Sequence, residues 1–158
     1  MAKLSHVNEQ GQASMVDVGD KKITNRIATA EGFIYINDEA MKQVIEHTNK
    51  KGDVISTARI AGIMGAKRCA DLIPLCHTLL LTKIDVDFEV EEDKGRIKIV
   101  SLCKVKGNTG VEMEALTAIN VAALTLFDMC KAVDQNMRID GIRVTSKSGG
   151  KSPDWSVK

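Results

Sequence analysis

The sequence predicts an α+β fold in which an antiparallel four-stranded sheet has helices packed on one face. Three observations support this prediction. Segments with the two-residue period of a strand and segments with the period of a helix follow one another in the order β-α-α-β-β-α-β. Two strands are joined by a short turn containing Gly95, as in a hairpin, and one helical segment is longer and more apolar than the others. If the first two helices are counted as one crossover, this order is the split βαβ, ferredoxin-like arrangement.

The first strand and the first two helices lie in the N-terminal part of the chain. Apolar and polar residues roughly alternate over residues 24–36, which indicates a strand. Asn37 and the acidic residues after it are typical of a helix N-terminus, and this helix extends to about Gly52. Asp53 then caps a second helix over residues 54–67.

The remaining elements follow Pro74, which interrupts the chain after the second helix. Strict alternation of apolar and polar residues indicates strands over residues 84–90 and 96–102. A long helix over residues 111–136 and a last strand over residues 137–145 complete the pattern.

Length and composition restrict the class of protein. A chain of 158 residues can bury a core of its own. We expect a single domain over residues 1–158, in which residues 1–22 form an N-terminal arm and residues 146–158 form a flexible tail. The N-terminus lacks the apolar region of a secretory signal, so we expect a cytoplasmic protein with no membrane partner.

Charge and cysteine content exclude further classes. The net charge of +1 gives no global field that would attract nucleic acid. The four cysteines are scattered and form no Cys-x-x-Cys pair, so we expect no structural zinc site and assign no metal ligands. An anion site must therefore come from local clustering of basic side chains.

Asp128 and Lys131 form the most informative pair of residues. They are three positions apart in the most apolar segment of the chain, so on a helix they project from the same side. Burial of charge is unfavourable unless the charges are paired or used. On the predicted helix, Glu114, Thr117 and Thr125 project in nearly the same direction as Asp128. We interpret this polar stripe as the wall of a pocket. An ordinary ion pair that makes the helix soluble is the alternative.

Three loops contain further candidates. Residues 71–77 place His77 beside a thiol, and a neutral imidazole can bind a ligand or move a proton, although a structural histidine is the alternative. Residues 107–114 supply glycines and acids at the start of the long helix. Residues 147–152 resemble a P-loop, but Pro153 leaves no room for the helix that should receive the phosphates. An anion nest and a solvated tail are the two readings of this segment that stay open.

Seven segments, in matching order, resemble the MoaC family of molybdenum cofactor biosynthesis proteins. The segments are Met15-Val-Asp-Val18, Lys51-Gly-Asp53, Thr57-Ala-Arg-Ile-Ala-Gly-Ile63, Leu72-Ile-Pro-Leu-Cys-His77, Gly110-Val-Glu-Met-Glu-Ala-Leu-Thr-Ala118, Asp128-Met-Cys-Lys-Ala-Val133 and Lys147-Ser-Gly-Gly-Lys-Ser152. No single segment is specific, whereas their collinear order is. The resemblance implies a ferredoxin-like fold and a hexamer built as a trimer of dimers, with sites at subunit boundaries. Self-association also has a physical argument, because the face of the sheet without helices needs a cover.

The resemblance also implies a reaction and a set of site residues. The family converts (8S)-3′,8-cyclo-7,8-dihydroguanosine 5′-triphosphate into cyclic pyranopterin monophosphate and releases diphosphate. By resemblance, Asp128, Lys131 and Lys51 are catalytic, with the order of proton transfers among them left open. The residues that match substrate-binding or polar site positions are Leu75, Cys76, His77, Met113, Glu114, Lys67, Arg26 and Lys147. The sequence requires no cofactor, although Mg²⁺ is compatible with a triphosphate substrate.

Two other classes of function are compatible with the predicted fold. An RNA-binding ferredoxin-like module would stack bases on aromatic residues of its sheet. Aromatic residues make up only 3% of the chain, and the two hairpin strands offer only Phe88. A non-catalytic ligand-binding or scaffold oligomer is the other alternative. Loss of product formation in Asp128→Ala and Lys131→Ala with assembly intact would favour the enzyme over the scaffold.

Overall fold

Five strands form one antiparallel sheet in the computed structural model, which describes residues 4–158. The strands are β1 (Thr24–Tyr35), β2 (Leu81–Glu91), β3 (Arg96–Gly107), β4 (Arg138–Ser148) and β5 (Trp155–Ser156). Their order across the sheet is β2-β3-β1-β4-β5. The helices are α1 (Asp38–Ile45), α2 (Val54–Lys67), α3 (Cys69–Leu72) and α4 (Glu112–Cys130).

The predicted α+β class with an antiparallel sheet is confirmed, but the predicted count of four strands is wrong. β4 continues to Ser148, beyond the predicted end at residue 145, and the short strand β5 pairs with it. Gly149 and Gly150 make the turn between them with φ angles of 85° and 90°, which glycine adopts readily. The domain boundaries and the flexibility of residues 146–158 stay predictions.

Two helices begin at the predicted capping residues. The side chain of Asn37 accepts a hydrogen bond from the backbone N–H of Ala40 at 2.9 Å, at the start of α1. The carboxylate of Asp53 accepts one from the backbone N–H of Ser56 at 2.9 Å, at the start of α2. Each cap satisfies a donor that the first turn of a helix cannot pair internally.

The C-terminus of α4 lies at Cys130, whereas the sequence predicted that the helix would continue to residue 136. The buried carboxylate of Asp134 accounts for the earlier end. One of its oxygens accepts a hydrogen bond from the backbone N–H of Asn37 at 2.8 Å, and the other accepts one from that of Asn136 at 2.9 Å. These bonds hold the chain that leaves α4 beside the start of α1. Lys131 is therefore the C-cap of α4 and not an interior helical residue.

The core lies between one face of the sheet and the helices α2 and α4. α4 packs against β1, β3, β4 and α2, while α2 also packs against β2. Alternate residues of β1 and β3 supply the buried side chains of the sheet, as the two-residue period requires. They are Ala28, Ala30, Ile34, Ile97, Ile99, Cys103 and Val105. By length and composition α4 could span a membrane, but here its apolar side chains fill this core.

The aromatic residues on the opposite face of the sheet are covered by arginines. The Arg96 guanidinium lies 4.1 Å from the ring centroid of Phe33, and that of Arg138 lies 4.1 Å from the ring centroid of Tyr35. Both rings belong to β1, next to strands that supply the two arginines. Bases could stack on these rings only after the guanidinium groups had left, which argues against the RNA-binding alternative.

Gly32→Ala is expected to destabilise the protein, because a Cβ at this position of β1 would lie 2.6 Å from Cγ2 of Ile119 and 3.0 Å from Cγ1 of Ile142. Ile119 is fully buried in α4 and has no free space to move into. We expect a loss of about 1–3 kcal/mol in the free energy of unfolding, measured by urea denaturation.

The matched control is Gly107→Ala in β3, where the nearest neighbour of the added Cβ would be 3.4 Å away. That variant should be close to the wild type in stability. Equal stability of both variants would contradict the close approach of α4 to the sheet.

Candidate functional site

Two adjoining cavities lie at the N-terminal end of α4. The first, which we call the His77 cavity, has a volume of about 230 Å³. The second, which we call the Arg26 cavity, has a volume of about 490 Å³. Both are partly lined by Lys21, Thr109, Gly110 and Glu112. Because the two cavities share these wall residues, they lie side by side, and we call the two together the cleft.

Five of the predicted substrate-binding residues meet in the His77 cavity. They are Leu75, Cys76, His77, Met113 and Glu114. The first three belong to the loop after Pro74, and the last two belong to the first turn of α4. The sequence motifs around these residues are far apart in the chain, and the packing of α3 and its following loop against α4 brings them together.

The imidazole of His77 binds the N-terminal segment to this cavity. Its Nε2 lies 2.7 Å from the carbonyl oxygen of Val16. A carbonyl only accepts hydrogen bonds, so Nε2 is the donor, and in the neutral ring Nδ1 is then an acceptor. The side chain of Asn108 donates a second hydrogen bond to this segment, to the backbone carbonyl of Val18 at 2.9 Å. The segment that the sequence predicted as an arm therefore forms part of the wall.

The sequence prediction missed several residues of the cleft. Ser5, His6 and Lys21 come from the N-terminal segment, whose polar and aperiodic sequence gave no signal. For Glu112 the sequence indicates only an acid that favours the start of a helix. Its carboxylate lies 2.6 Å from Nζ of Lys147, a contact between α4 and β4 that no sequence spacing would have indicated.

Glu114 is an acid in a largely desolvated position. Glu114 is only 4% exposed, and burial raises the pKa of its carboxyl above the usual range. Burial also raises the pKa of the Cys69 thiol to about 12 and raises the pKa of the Cys76 thiol. Neither cysteine is therefore an activated nucleophile at neutral pH.

Arg26 is a buried cation without an acidic partner among residues 4–158. The residue is 9% exposed, and its Nε donates to the carbonyl of Gly107 at 3.2 Å. No carboxylate of the described chain lies within ion-pair distance of it. Gly150 packs directly on the guanidinium group, where a side chain would collide with it. A buried charge in this condition is unfavourable unless a ligand supplies the opposite charge.

The Arg26 cavity as a whole is rich in positive charge. Its cationic side chains are Lys21, Lys22, Arg26, Lys147 and Lys151, against the acidic Asp20 and Glu112. The cleft also lies at the positive end of the dipole of α4. Although the chain is almost neutral, this local cluster is therefore suited to an anion. The predicted residues Arg26 and Lys147 meet here, beside Gly150, Lys151 and Ser152.

The three predicted catalytic residues meet at the opposite end of α4. Asp128 accepts from Nζ of Lys131 at 2.8 Å and from Nζ of Lys51 at 3.1 Å, through different carboxylate oxygens. Nζ of Lys51 also donates to the backbone carbonyl of Asp128 at 2.7 Å. The neighbouring Lys131, and then Lys51, lower the pKa of the Asp128 carboxyl below its usual range. We call these three residues the Lys51 cluster.

The prediction that this acid and base are buried is wrong for the single chain. The side chains of Lys51, Asp128 and Lys131 are 43%, 58% and 55% exposed. Asp128 lies on the exposed side of the last turn of α4, where Met129 and Cys130 face the core, and Lys131 is the C-cap. Lys51 belongs to the turn between α1 and α2. An exposed ion pair of this kind needs no pocket to explain it.

The predicted polar stripe does not form one pocket wall either. Glu114 and Asp128 are 14 residues apart, which on a helix is roughly 21 Å along the axis. The hydroxyl groups of Thr117 and Thr125 between them donate to carbonyls of the preceding turn at 2.7 and 2.8 Å. Lys67 is exposed at the end of α2 and lines neither cavity of the cleft.

Comparisons with known proteins identify close relatives. The sequence model of the MoaC family matches residues 15–150. Proteins named cyclic pyranopterin monophosphate synthase from Brucella ovis, Brucella melitensis and Brucella abortus are 54% identical to this chain over 155 residues, covering 98% of this chain and 94% of theirs. A solved complex of a FusC ferredoxin protease mutant with Arabidopsis ferredoxin aligns at 14% identity over 72% of this chain and 11% of its own. Its TM-score of 0.35 is too low to support an argument.

Glu114→Gln is expected to stabilise the protein at pH 7. Burial raises the pKa of the Glu114 carboxyl, so the folded state binds this proton more tightly than the unfolded chain does. The stability that comes from this group is complete at low pH and is lost as the pH rises through the raised pKa. The gain from glutamine should therefore be present at pH 7 and small below about pH 4.

Urea denaturation at the two pH values measures this difference. Glu89→Gln in β2 is the control, because Glu89 is exposed and its replacement should give no such gain. A gain that is the same at both pH values would contradict the proposed cause.

Proposed function

The chain belongs to the MoaC family, and we propose that it is a cyclic pyranopterin monophosphate synthase of molybdenum cofactor biosynthesis. Its substrate would be (8S)-3′,8-cyclo-7,8-dihydroguanosine 5′-triphosphate, and its products cyclic pyranopterin monophosphate and diphosphate. The activity for which the 54% identical relatives are named supports this proposal.

The cleft formed by the two adjoining cavities is the observation that carries the proposal. In the proposed complex the triphosphate lies in the Arg26 cavity, where Arg26 has no acidic partner within the described chain. The rings derived from guanine lie in the His77 cavity, where Nδ1 of His77 can accept a hydrogen bond and Glu114 offers a second polar group. Positive charge around the phosphates reduces repulsion as a nucleophile approaches phosphorus.

The Lys51 cluster is proposed to carry out the proton transfers. Ring opening at the purine-derived aminal and closure of the pyran both require a group that gives a proton and a group that takes one. A carboxylate between two lysines offers both kinds of group within hydrogen-bond distance. A hydroxyl of the substrate then attacks the α-phosphorus and diphosphate leaves, with Lys51 stabilising the developing charge.

These roles require a second copy of the chain. The Lys51 cluster lies roughly 21 Å along α4 from Glu114, so one chain alone does not place it at its own cleft. We propose that each site combines the cleft of one subunit with the Lys51 cluster of another, in a hexamer built as a trimer of dimers. The exposure of the cluster in the single chain supports this arrangement, because a partner subunit would cover it.

Three further features belong to the proposal. The order β2-β3-β1-β4 of the four long strands supports a ferredoxin-like fold to which β5 is added. Within residues 4–158 no cluster of three His, Cys, Asp or Glu side chains is arranged to hold a metal ion. We therefore propose that a Mg²⁺ ion, if required, arrives bound to the triphosphate. The proposed location is the cytoplasm, where guanosine triphosphate is available.

Incubation of the protein with the cyclised guanosine triphosphate tests the activity. We expect the release of diphosphate together with the pyranopterin product. In Asp128→Asn the rate should fall by about 100- to 10,000-fold, because a proton-transfer group is lost. Binding of the compound by the wild type without diphosphate release would support the non-catalytic alternative.

Mixing two inactive variants tests whether the site is shared. After subunit exchange between Asp128→Asn and His77→Ala, about a quarter of the sites should combine an intact Lys51 cluster with an intact cleft, and activity should return accordingly. The control mixture is Asp128→Asn with Lys131→Ala, in which every cluster is defective and no activity should return. Absence of activity in both mixtures would show that each chain has to contain its own complete site.

A further inference from the structure

We infer that Asn49 is a positioning residue, which fixes Lys51 against the C-terminus of α4 and thereby keeps the Lys51 cluster assembled. The catalytic part of this inference rests on the proposed function, while its structural part does not. No motif in the sequence pointed to Asn49, which lies in the polar turn between α1 and α2.

Both polar atoms of the Asn49 side-chain amide make hydrogen bonds. The residue is only 9% exposed. Its Nδ2 donates to the backbone carbonyl of Met129 at 3.1 Å, in a buried hydrogen bond between segments 80 positions apart. Its Oδ1 accepts from the backbone N–H of Lys51 at 2.9 Å, which forms a local turn. One amide group therefore connects the backbone of Lys51 to the last turn of α4.

The turn around Asn49 has a defined shape. The backbone N–H of Gly52 donates to the carbonyl of Asn49 at 3.0 Å. Gly52 has a φ of +101°, a conformation that glycine adopts without strain. Two hydrogen bonds to Asn49 therefore close the turn. Lys51 donates to its side chain, and Gly52 donates to its backbone carbonyl.

The end of α4 needs donors from outside the helix. The last four carbonyl groups of a helix have no intrahelical partner. In α4 the carbonyl of Phe127 accepts from the backbone of Lys131, and that of Cys130 accepts from the backbone that follows the helix. The two between them, those of Asp128 and Met129, accept from the side chains of Lys51 and Asn49. The 49–51 turn thus completes the C-terminus of α4.

The side-chain contacts of Lys51 do not by themselves explain its position. Its side chain is 43% exposed, and a partly exposed lysine on a flexible stem holds one geometry poorly through an ion pair alone. The hydrogen bonds of Asn49 to Met129 and to Lys51 fix the backbone of Lys51, from which its side chain extends. Loss of these two hydrogen bonds should therefore displace the ammonium group of Lys51 from Asp128 without unfolding the protein.

The test compares three variants of the full-length protein. Asn49→Ala removes both hydrogen bonds of the side chain. Asn49→Ser keeps an oxygen that can accept from the N–H of Lys51 but is too short to reach Met129. Thr48→Ala is the matched control, because Thr48 is an exposed neighbour in the same turn. Circular dichroism and urea denaturation establish that each variant is folded.

Two readouts separate positioning from a structural role alone. In Asn49→Ala and Asn49→Ser we expect kcat to fall by about 10- to 100-fold with little change in KM, as for a displaced catalytic group. We also expect the pKa of the Asp128 carboxyl, followed by carbon NMR, to rise toward its usual value, because Lys51 helps to lower it. Thr48→Ala should behave as the wild type in both measurements.

A double-variant comparison completes the test. Lys51→Ala should raise the pKa of the Asp128 carboxyl, and adding Asn49→Ala to it should raise that pKa no further, because Asn49 acts through Lys51. A full additional rise would overturn the inference, as would an unchanged Asp128 titration in Asn49→Ala. Wild-type kcat in Asn49→Ser would also overturn it. Because the titration needs no substrate, it judges the inference even if the wild type forms no product and the proposed function fails.

Discussion

The rigid helix α4 keeps the two charged regions of this chain apart. Its 19 residues span about 28 Å, and its buried side chains fill the space between the sheet and α2. The cleft lies at its N-terminal end and the Lys51 cluster lies at its C-terminal end. Because a helix packed in this way cannot bend to bring its ends together, we propose that a site that uses both regions is assembled from two copies of the chain.

The electrostatics of the two ends of α4 are complementary. The cleft presents Arg26 without an acidic partner in the described part of the chain, together with several lysines, at the positive end of the helix dipole. At the negative end, two lysines stabilise the ionised form of Asp128, whose pKa is lowered. Glu114, by contrast, has a raised pKa in a desolvated position. We propose that one end binds an anion and that the other exchanges protons.

Much of the fold was readable from the sequence, because local signals decide it. Asn37 and Asp53 cap helices as predicted, and the two-residue periods mark the long strands. Part of the cleft was also predicted, through the motifs shared with the MoaC family, whereas its N-terminal residues were not. The exposure of Asp128 was not, since helical periodicity gives the bearing of a side chain but ignores its distance along the axis. β5 has only two residues, too few for a period to mark it, and the hydrogen bond of Asn49 to Met129 joins segments 80 positions apart, which leave no local pattern.

A structure of the assembled protein with the cyclised guanosine triphosphate bound to the Asp128→Asn variant would test the shared site most directly. The measurement is the distance from the substrate to Nζ of Lys51 in the same subunit and in the neighbouring one. Our account predicts a hydrogen-bond distance from the neighbouring subunit and a separation on the order of 20 Å within the same subunit. A substrate contacted by the cleft and by the Lys51 cluster of one and the same chain would contradict it.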